Sequence, residues 1–323
     1  MKPRKFFTAM CFLCAAAIPT PPHAQDYPSR LIQFIVPATP GTVMDTMARV
    51  LGPKMSQRWG VPIMVDNKIG AGGIVGAHAV AKANPDGHTF LFVGSSFETL
   101  AASHPKLPYD PIKSFVRVSL LGTTVMSVVV SSNFPANTVR EFLDQVKRRP
   151  GVFNFGSPGI GSSQHLGMEL LKQETGINLV HVPYKGTAGV LNDIIAGLVQ
   201  ASVVALPSAV PYVQSGKLRM LAVMGTERAA KLPLVPTLAE VGVPNVIFEV
   251  WYGVMAPAGT PGAVVAKFNA EVNDLLALPD VKEVMDRQGV NPAGGKPEAF
   301  DSRVRSGIKL WTQVMTRGNI VVQ

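Results

Sequence analysis

Apolar runs of strand length alternate with helix-period segments along almost the entire chain, and this alternation restricts the fold more than any other feature. Residues 31–36, 62–66, 88–93, 153–156, 178–182, 201–205 and 218–223 read as buried strands. The segments between them carry helix signals. Thr138-x-x-Glu141 and Thr237-x-x-Glu240 fit capping boxes, and Gly176 and Gly242 stand where helices end. A strand, helix, strand succession builds parallel α/β sheets, and in open sheets of this kind ligands gather beyond the carboxyl ends of the strands.

Residues 118–130 form a stretch too long for one compact strand and its turn, and they fall near the point where a second set of βα units begins. They read as a hinge crossing, with a return after Met224 that brings residues 251–256 back. The expected division is a discontinuous first domain, 25–127 with 250–323, and a second domain, 128–249. The C-terminal third reads as helical. Pro261 and Pro297 suit first-turn positions, and Phe300, Val304, Ile308, Trp311 and Met315 trace one face of a final helix. A helix over residues 46–58 contains Pro53, which is expected to kink or split it.

Lys2, Arg4 and Lys5 precede an apolar stretch from Phe6 to Ile18, and a Pro-rich, small-residue segment leads to Ala24. This is the layout of a secretory signal peptide, residues 1–24, and places the mature chain outside the cytoplasm. Both cysteines, Cys11 and Cys14, fall inside it. The remaining chain must therefore hold together by core burial, with no disulfide, thiol or zinc chemistry. Removing the signal's three basic residues lowers the formal charge from +9 to +6. The basic residues are scattered, and Lys147-Arg148-Arg149 suits a helix C-terminus better than a nucleic-acid surface. Export separates the chain from cytoplasmic ATP and NAD.

Four chemical constellations are weaker readings of the residues, the serine hydrolase being the runner-up among them. Gly70-Ala71-Gly72-Gly73-Ile74-Val75-Gly76 follows a strand and opens a helix, but the next strand ends without an acid for ribose hydroxyls, so the motif reads as a glycine-rich turn for close helix packing. Tyr109 and Lys113 mimic a dehydrogenase pair, yet Pro111 between them prevents a shared helical face. Ser162 or Ser163 with His165 could serve a secreted hydrolase, but no G-x-S-x-G elbow is present. His165 and Glu169 lie four apart without a third metal ligand nearby, and His78, His88, His104 and His181 read as surface or cap residues. No cofactor and no metal are expected.

What remains is a set of loops with one chemistry. Residues 37–42, 94–96 and 156–163 each follow a strand, precede a helix, and offer backbone N–H groups and hydroxyls, the combination that binds anions.

The motifs in order are Tyr27-Pro28-Ser29-Arg30, Val36-Pro37-x-x-Pro40-Gly41 with Asp45, Gly70-Ala71-Gly72-Gly73, Asn84-Pro85-Asp86-Gly87, Leu107-Pro108-Tyr109-Asp110, Ser162-Ser163-x-His165-Leu166, His181-Val182-Pro183-Tyr184-Lys185-Gly186, Gly216-Lys217-Leu218-Arg219 and Ala256-Pro257-Ala258-Gly259-Thr260-Pro261. This series resembles the Bug family of periplasmic receptors of tripartite tricarboxylate transporters along the whole mature chain. The resemblance implies a type II-like periplasmic-binding-protein fold, two α/β domains with a hinge and an interdomain cleft. It further implies a small organic carboxylate as ligand, a membrane permease or a sensor as partner, a monomer, and no enzymatic activity.

Carried over by position, the resemblance implies ligand contacts from Thr39, Gly41, Thr42 and Asp45, from Ser95 and Ser96, and from Ser157, Gly159, Gly161, Ser162 and Ser163. Two departures matter. Thr42 stands where the family commonly has a second glycine, and the end of the 201–205 strand has Val204 or Ala205 where many members have an aspartate. Val204 is thus a candidate ligand-side position, and an ammonium-bearing ligand would lose a partner there. For Asp45 two readings stand: it caps the helix or orients a loop N–H, or it accepts from a ligand hydroxyl.

Overall fold

The computed structural model describes residues 27–322, so the expected signal segment lies outside the described residues. The first βα units are β1 (Ile32–Val36), α1 (Val43–Trp59), β2 (Ile63–Asn67), α2 (Ile74–Ala81), β3 (Thr89–Gly94) and α3 (Ser96–Ser103). A long strand, β4 (Phe115–Ser131), leads into α4 (Val139–Arg148), β5 (Asn154–Ser157), α5 (Ser163–Thr175), β6 (Val180–Pro183), α6 (Thr187–Ile195), β7 (Ala201–Ala205), α7 (Leu206–Gln214) and β8 (Leu218–Val223). The chain returns through β9 (Glu249–Pro257) and ends in α8 (Gly262–Leu276), α9 (Pro279–Arg287), the short β10 (Asn291–Pro292) and α10 (Pro297–Arg317). Among the described residues no helix is long and apolar enough to cross a membrane.

Two α/β lobes share β4. Its first part, Phe115 to Val125, pairs with β9 in a sheet ordered β2-β1-β3-β9-β4. Its second part, up to Ser131, lies between β7 and β8 in the other sheet, with β5 and β6 beyond β7. Register locates the strand ends. Gly94 at the end of β3 lies opposite Tyr252, which lies opposite Gly122 of β4, and Ala205 at the end of β7 lies opposite Met126. Strands β1 to β3 are mutually parallel, as are β5 to β7. All six therefore point their carboxyl ends at the zone where β4 passes from one lobe to the other.

Helix α10 serves both cores. Phe300 and Val304 pack with Leu91, Val93 and Met255 of the first lobe, whereas Trp311, Val314 and Met315 pack with Phe248 and the second-lobe cluster. The five positions read as one helix face are thus divided between two lobes.

Two helix expectations need correction. Helix α1 is not split at Pro53, because Met47, Ala48, Leu51 and Met55 on either side of it are all buried in one cluster with β1 and β3 and fix the helix on the sheet. Thr237 and Glu240 do make reciprocal box hydrogen bonds, at 2.8 and 3.1 Å, yet the segment they open is a set of turns. Glu240 there also receives Arg228, which fastens the turn to residues outside it.

Arg219 shows how a polar side chain inside a strand can stabilise a loop. Its guanidinium donates to the carbonyls of Ser132, Phe134 and Ala136 at 2.8–3.1 Å. Arg219→Leu leaves these acceptors to water or to nothing, and we expect a loss of about 2 kcal/mol, seen as a lower urea midpoint with an unchanged m-value.

Candidate functional site

The first loop is held from beneath by one buried carboxylate. Asp45, 2 % exposed, accepts from the Gly41 N–H at 2.9 Å, from Arg49 Nε at 3.0 Å and from Asn67 Nδ2 at 2.9 Å. Asn67 also donates to the Ala38 carbonyl at 3.0 Å, so the end of β2 fixes the loop after β1. Burial works against ionisation of Asp45, but the hydrogen bonds from Arg49, Gly41 and Asn67 outweigh it and hold the acid below the usual carboxylate range. The Gly41 amide is thus engaged within the protein. Thr42 precedes α1 and donates to the Thr39 carbonyl at 3.0 Å, while Thr39 itself is exposed.

The glycine-rich segment after β2 supports this loop by close approach. A Cβ on Gly76 would meet Pro37 Cβ at 2.8 Å and the Lys68 carbonyl at 2.9 Å, so only glycine lets α2 press against the loop's start.

The second loop contains an unusual pair of features. Ser95 is 2 % exposed and its hydroxyl has no partner among the described residues; its N–H donates to the Trp251 carbonyl at 3.0 Å. Ser96 is exposed beside it. In the first turn of α3, Glu98 is buried and accepts from the indoles of Trp251 at 2.7 Å and Trp311 at 3.3 Å. Burial raises its acid to about 8, against the opposing pull of the indoles and of Arg303 and Arg117. Sequence reasoning missed this contact, since its three members come from α3, β9 and α10.

The third loop is a closed polar network. Ser157 is fully buried, donates to the Gly159 carbonyl at 3.0 Å and lies 2.7 Å from His181 Nε2. Ser162 donates to the Gly159 carbonyl at 2.7 Å and caps α5 by accepting from the His165 N–H at 3.2 Å. The Gly161 N–H donates to His165 Nδ1 at 3.1 Å. The rings of His165 and His181 stack at 3.8 Å, with Phe155 stacked on His181 at 4.9 Å. Burial lowers both histidines and keeps them neutral, with Lys172 adding to the effect.

This arrangement corrects the reading of His181 as a surface or cap residue: it supports Ser157 from the neighbouring strand. The histidines lie sixteen positions apart in sequence, and only the parallel pairing of β5 with β6, Phe155 opposite His181, unites them. Nor do Ser162 and His165 form a hydrolytic pair. The Ser162 hydroxyl meets the backbone of His165, the imidazole meets Gly161, and Ser157, which does meet a histidine, is inaccessible. Ser163 starts α5 and is half-buried.

Val204 does not join these loops through its side chain. It is 1 % exposed in a core cluster with Val125, Val129 and Val190, and its carbonyl accepts from Ser127 at 3.1 Å. Strand alternation directs it into the helix-covered face of the sheet. Among the described residues there is no group of three His, Cys, Asp or Glu placed to hold a metal.

The sequence matches the family described as tripartite tricarboxylate transporter family receptor over residues 47–319. It is 34 % identical to Protein BugT of Bordetella pertussis over 306 residues, covering 94 % of each chain. Among solved structures, it resembles R. palustris Rpa4515 with adipate, at 31 % identity and TM-score 0.75 over 92 % of this chain and 99 % of that one. It also resembles MatC from Rhodopseudomonas palustris with bound malate, at 32 % identity and TM-score 0.72 over 89 % and 99 %.

The buried Glu98 sets a pH dependence. Its acid is raised above the ordinary 4.5 to about 8, so the native state retains a proton that the unfolded chain releases. Stability from this group is full below pH 4.5 and is lost as pH rises towards about 8. In Glu98→Gln the decline over that interval should be shallower than in the parent, measured by urea unfolding at a series of pH values.

Proposed function

The chain belongs to the tripartite tricarboxylate transporter receptor family, and from that membership we propose that it captures a small organic carboxylate between its lobes in the periplasm and delivers it, as a monomer, to the membrane permease of such a transporter. The family binds solutes and does not transform them. Its members solved with adipate and with malate are ones this chain matches over most of its length. The lobes we assign are 25–127 with 250–323, and 128–249. The change of β4's partners after Val125 supports that boundary.

The observation that carries the proposal is convergence: two sets of three parallel strands, running towards each other, end at one junction, and the loops there carry hydroxyls and amides at the starts of α1, α3 and α5. The Ser95 hydroxyl, buried at the start of α3 with no partner among the described residues, is the contact we assign on the second loop, and a carboxylate oxygen that reaches it as the lobes close would supply the acceptor it lacks. Thr39, Ser96 and Ser163 are the further contacts we assign directly; Thr42, Gly159, Gly161 and Ser162 join them by exchanging their present bonds to the Thr39 carbonyl, Ser157, His165 and the Gly159 carbonyl. Asp45, with its three internal donors, acts as the anchor of the first loop. Charge-assisted hydrogen bonds contribute about 1.5–3 kcal/mol each, so four or five suffice for the roughly 8 kcal/mol of micromolar binding when the loops are already ordered.

Thermal-shift screening with adipate, malate, benzoate and aspartate should show stabilisation by acids lacking an ammonium group, about 2.7 kcal/mol at a hundredfold excess over Kd. Stabilisation by sugars or cations with no response to any acid would refute the assignment. Calorimetry on the acid that binds should then separate two roles: Ser95→Ala weakens affinity about tenfold, whereas Asp45→Ala lowers the melting temperature with affinity retained.

A further inference from the structure

We propose that a cavity of about 550 Å3 between α7, α9 and segment 226–231 is a second small-molecule site, one that takes an uncharged guest with an apolar body. Its volume falls within the range of small-molecule sites, about 300–1,000 Å3. None of the loop residues assigned to the carboxylate lines it. Leu206, Pro207, Val210 and Pro211 of α7 form an apolar wall, Val125 of β4 lies at the lobe crossing, and Gly289 follows α9 on the opposite side.

The charges around the cavity explain why the guest should be neutral. Arg228 holds Glu240 at 2.9 Å, Lys231 holds Asp286 at 2.7 Å, Arg287 holds Glu283 at 2.6 Å and Glu249 is held by Arg303 at 3.0 Å. An anionic guest would have to displace one of these partners or remain unpaired, and a cationic one would find only the solvent-exposed Glu227, whose attraction water screens, whereas an apolar body with a single hydroxyl disturbs none. Glu227, the one lining charge without an ion-pair partner among the described residues, offers that hydroxyl an acceptor.

Both lobes build the site. Helix α7 and segment 226–231 belong to the second lobe, and α9 with β10 to the first. At Gly289 a Cβ would fall 1.8 Å from Pro207 Cγ, so the lobes touch there through a residue without a side chain. The Lys231–Asp286 pair spans the same boundary. The cavity therefore exists at this lobe angle and changes shape at another, which links its occupancy to lobe movement.

Benzyl alcohol is a suitable probe, followed by calorimetry and ligand-observed NMR on the mature chain. We expect saturable binding, weakened at least about tenfold in Val210→Phe and in Ala230→Phe, which put a ring into the cavity from half-buried and exposed positions. Melting curves verify that each variant folds, and the exposed Ala230 tolerates the change even if Val210 does not. Adipate should leave benzyl alcohol bound, with affinity unchanged or shifted without competition. The proposal is overturned by non-saturable binding, by undiminished affinity in the folded variants, or by competitive displacement by adipate. Loss of adipate binding with benzyl alcohol binding intact would count against the carboxylate assignment alone.

Discussion

Seventeen residues of unbroken extended backbone, Phe115 to Ser131, hold this molecule together. A β-strand satisfies its own N–H and C=O groups only through neighbours, and β4 takes its neighbours from one lobe over its first part and from the other over its second. The lobes are consequently two sheets organised around one shared strand, and the ends of β3 and β7 are brought near each other by register. The position of the loops after β1, β3 and β5 is a consequence of hydrogen-bond pairing before it is a matter of side chains.

The loops themselves are pre-ordered by buried polar groups that stand behind them. Asp45 with Asn67, Glu98 with two indoles, and the His165–His181 stack each fix one loop from the side facing the core. Such networks stabilise only when every member finds a partner. Ser95 is the exception beside them, a buried hydroxyl whose lack of a partner is itself chemical information. Scaffolding of this kind decides where the loop amides and hydroxyls point, since backbone donors cannot swing as an arginine can.

The strands were legible in the sequence because burial on both faces leaves mostly apolar runs such as residues 31–36, whereas residues 118–130, which read as too long for one strand, are part of the single strand β4. Helix starts with local chemistry were legible as well, Thr138 and Ser162 among them. Residues that act at a distance were not. Glu98 finds Trp251 and Trp311 across 153 and 213 positions, and nothing in the local pattern around any of them marks the contact. His181 read as a solitary residue for the same reason. Pro53 shows the opposite failure, a strong local signal overruled by packing on both sides of it.

Helix α10 is one rigid rod sunk into both cores, with Phe300 at one end and Trp311 towards the other. The lobes are thereby tied a second time, away from β4, and any change of angle between them must repack Phe300 or Trp311 against its neighbours. A joint with two such straps has few geometries in which both ends stay well packed.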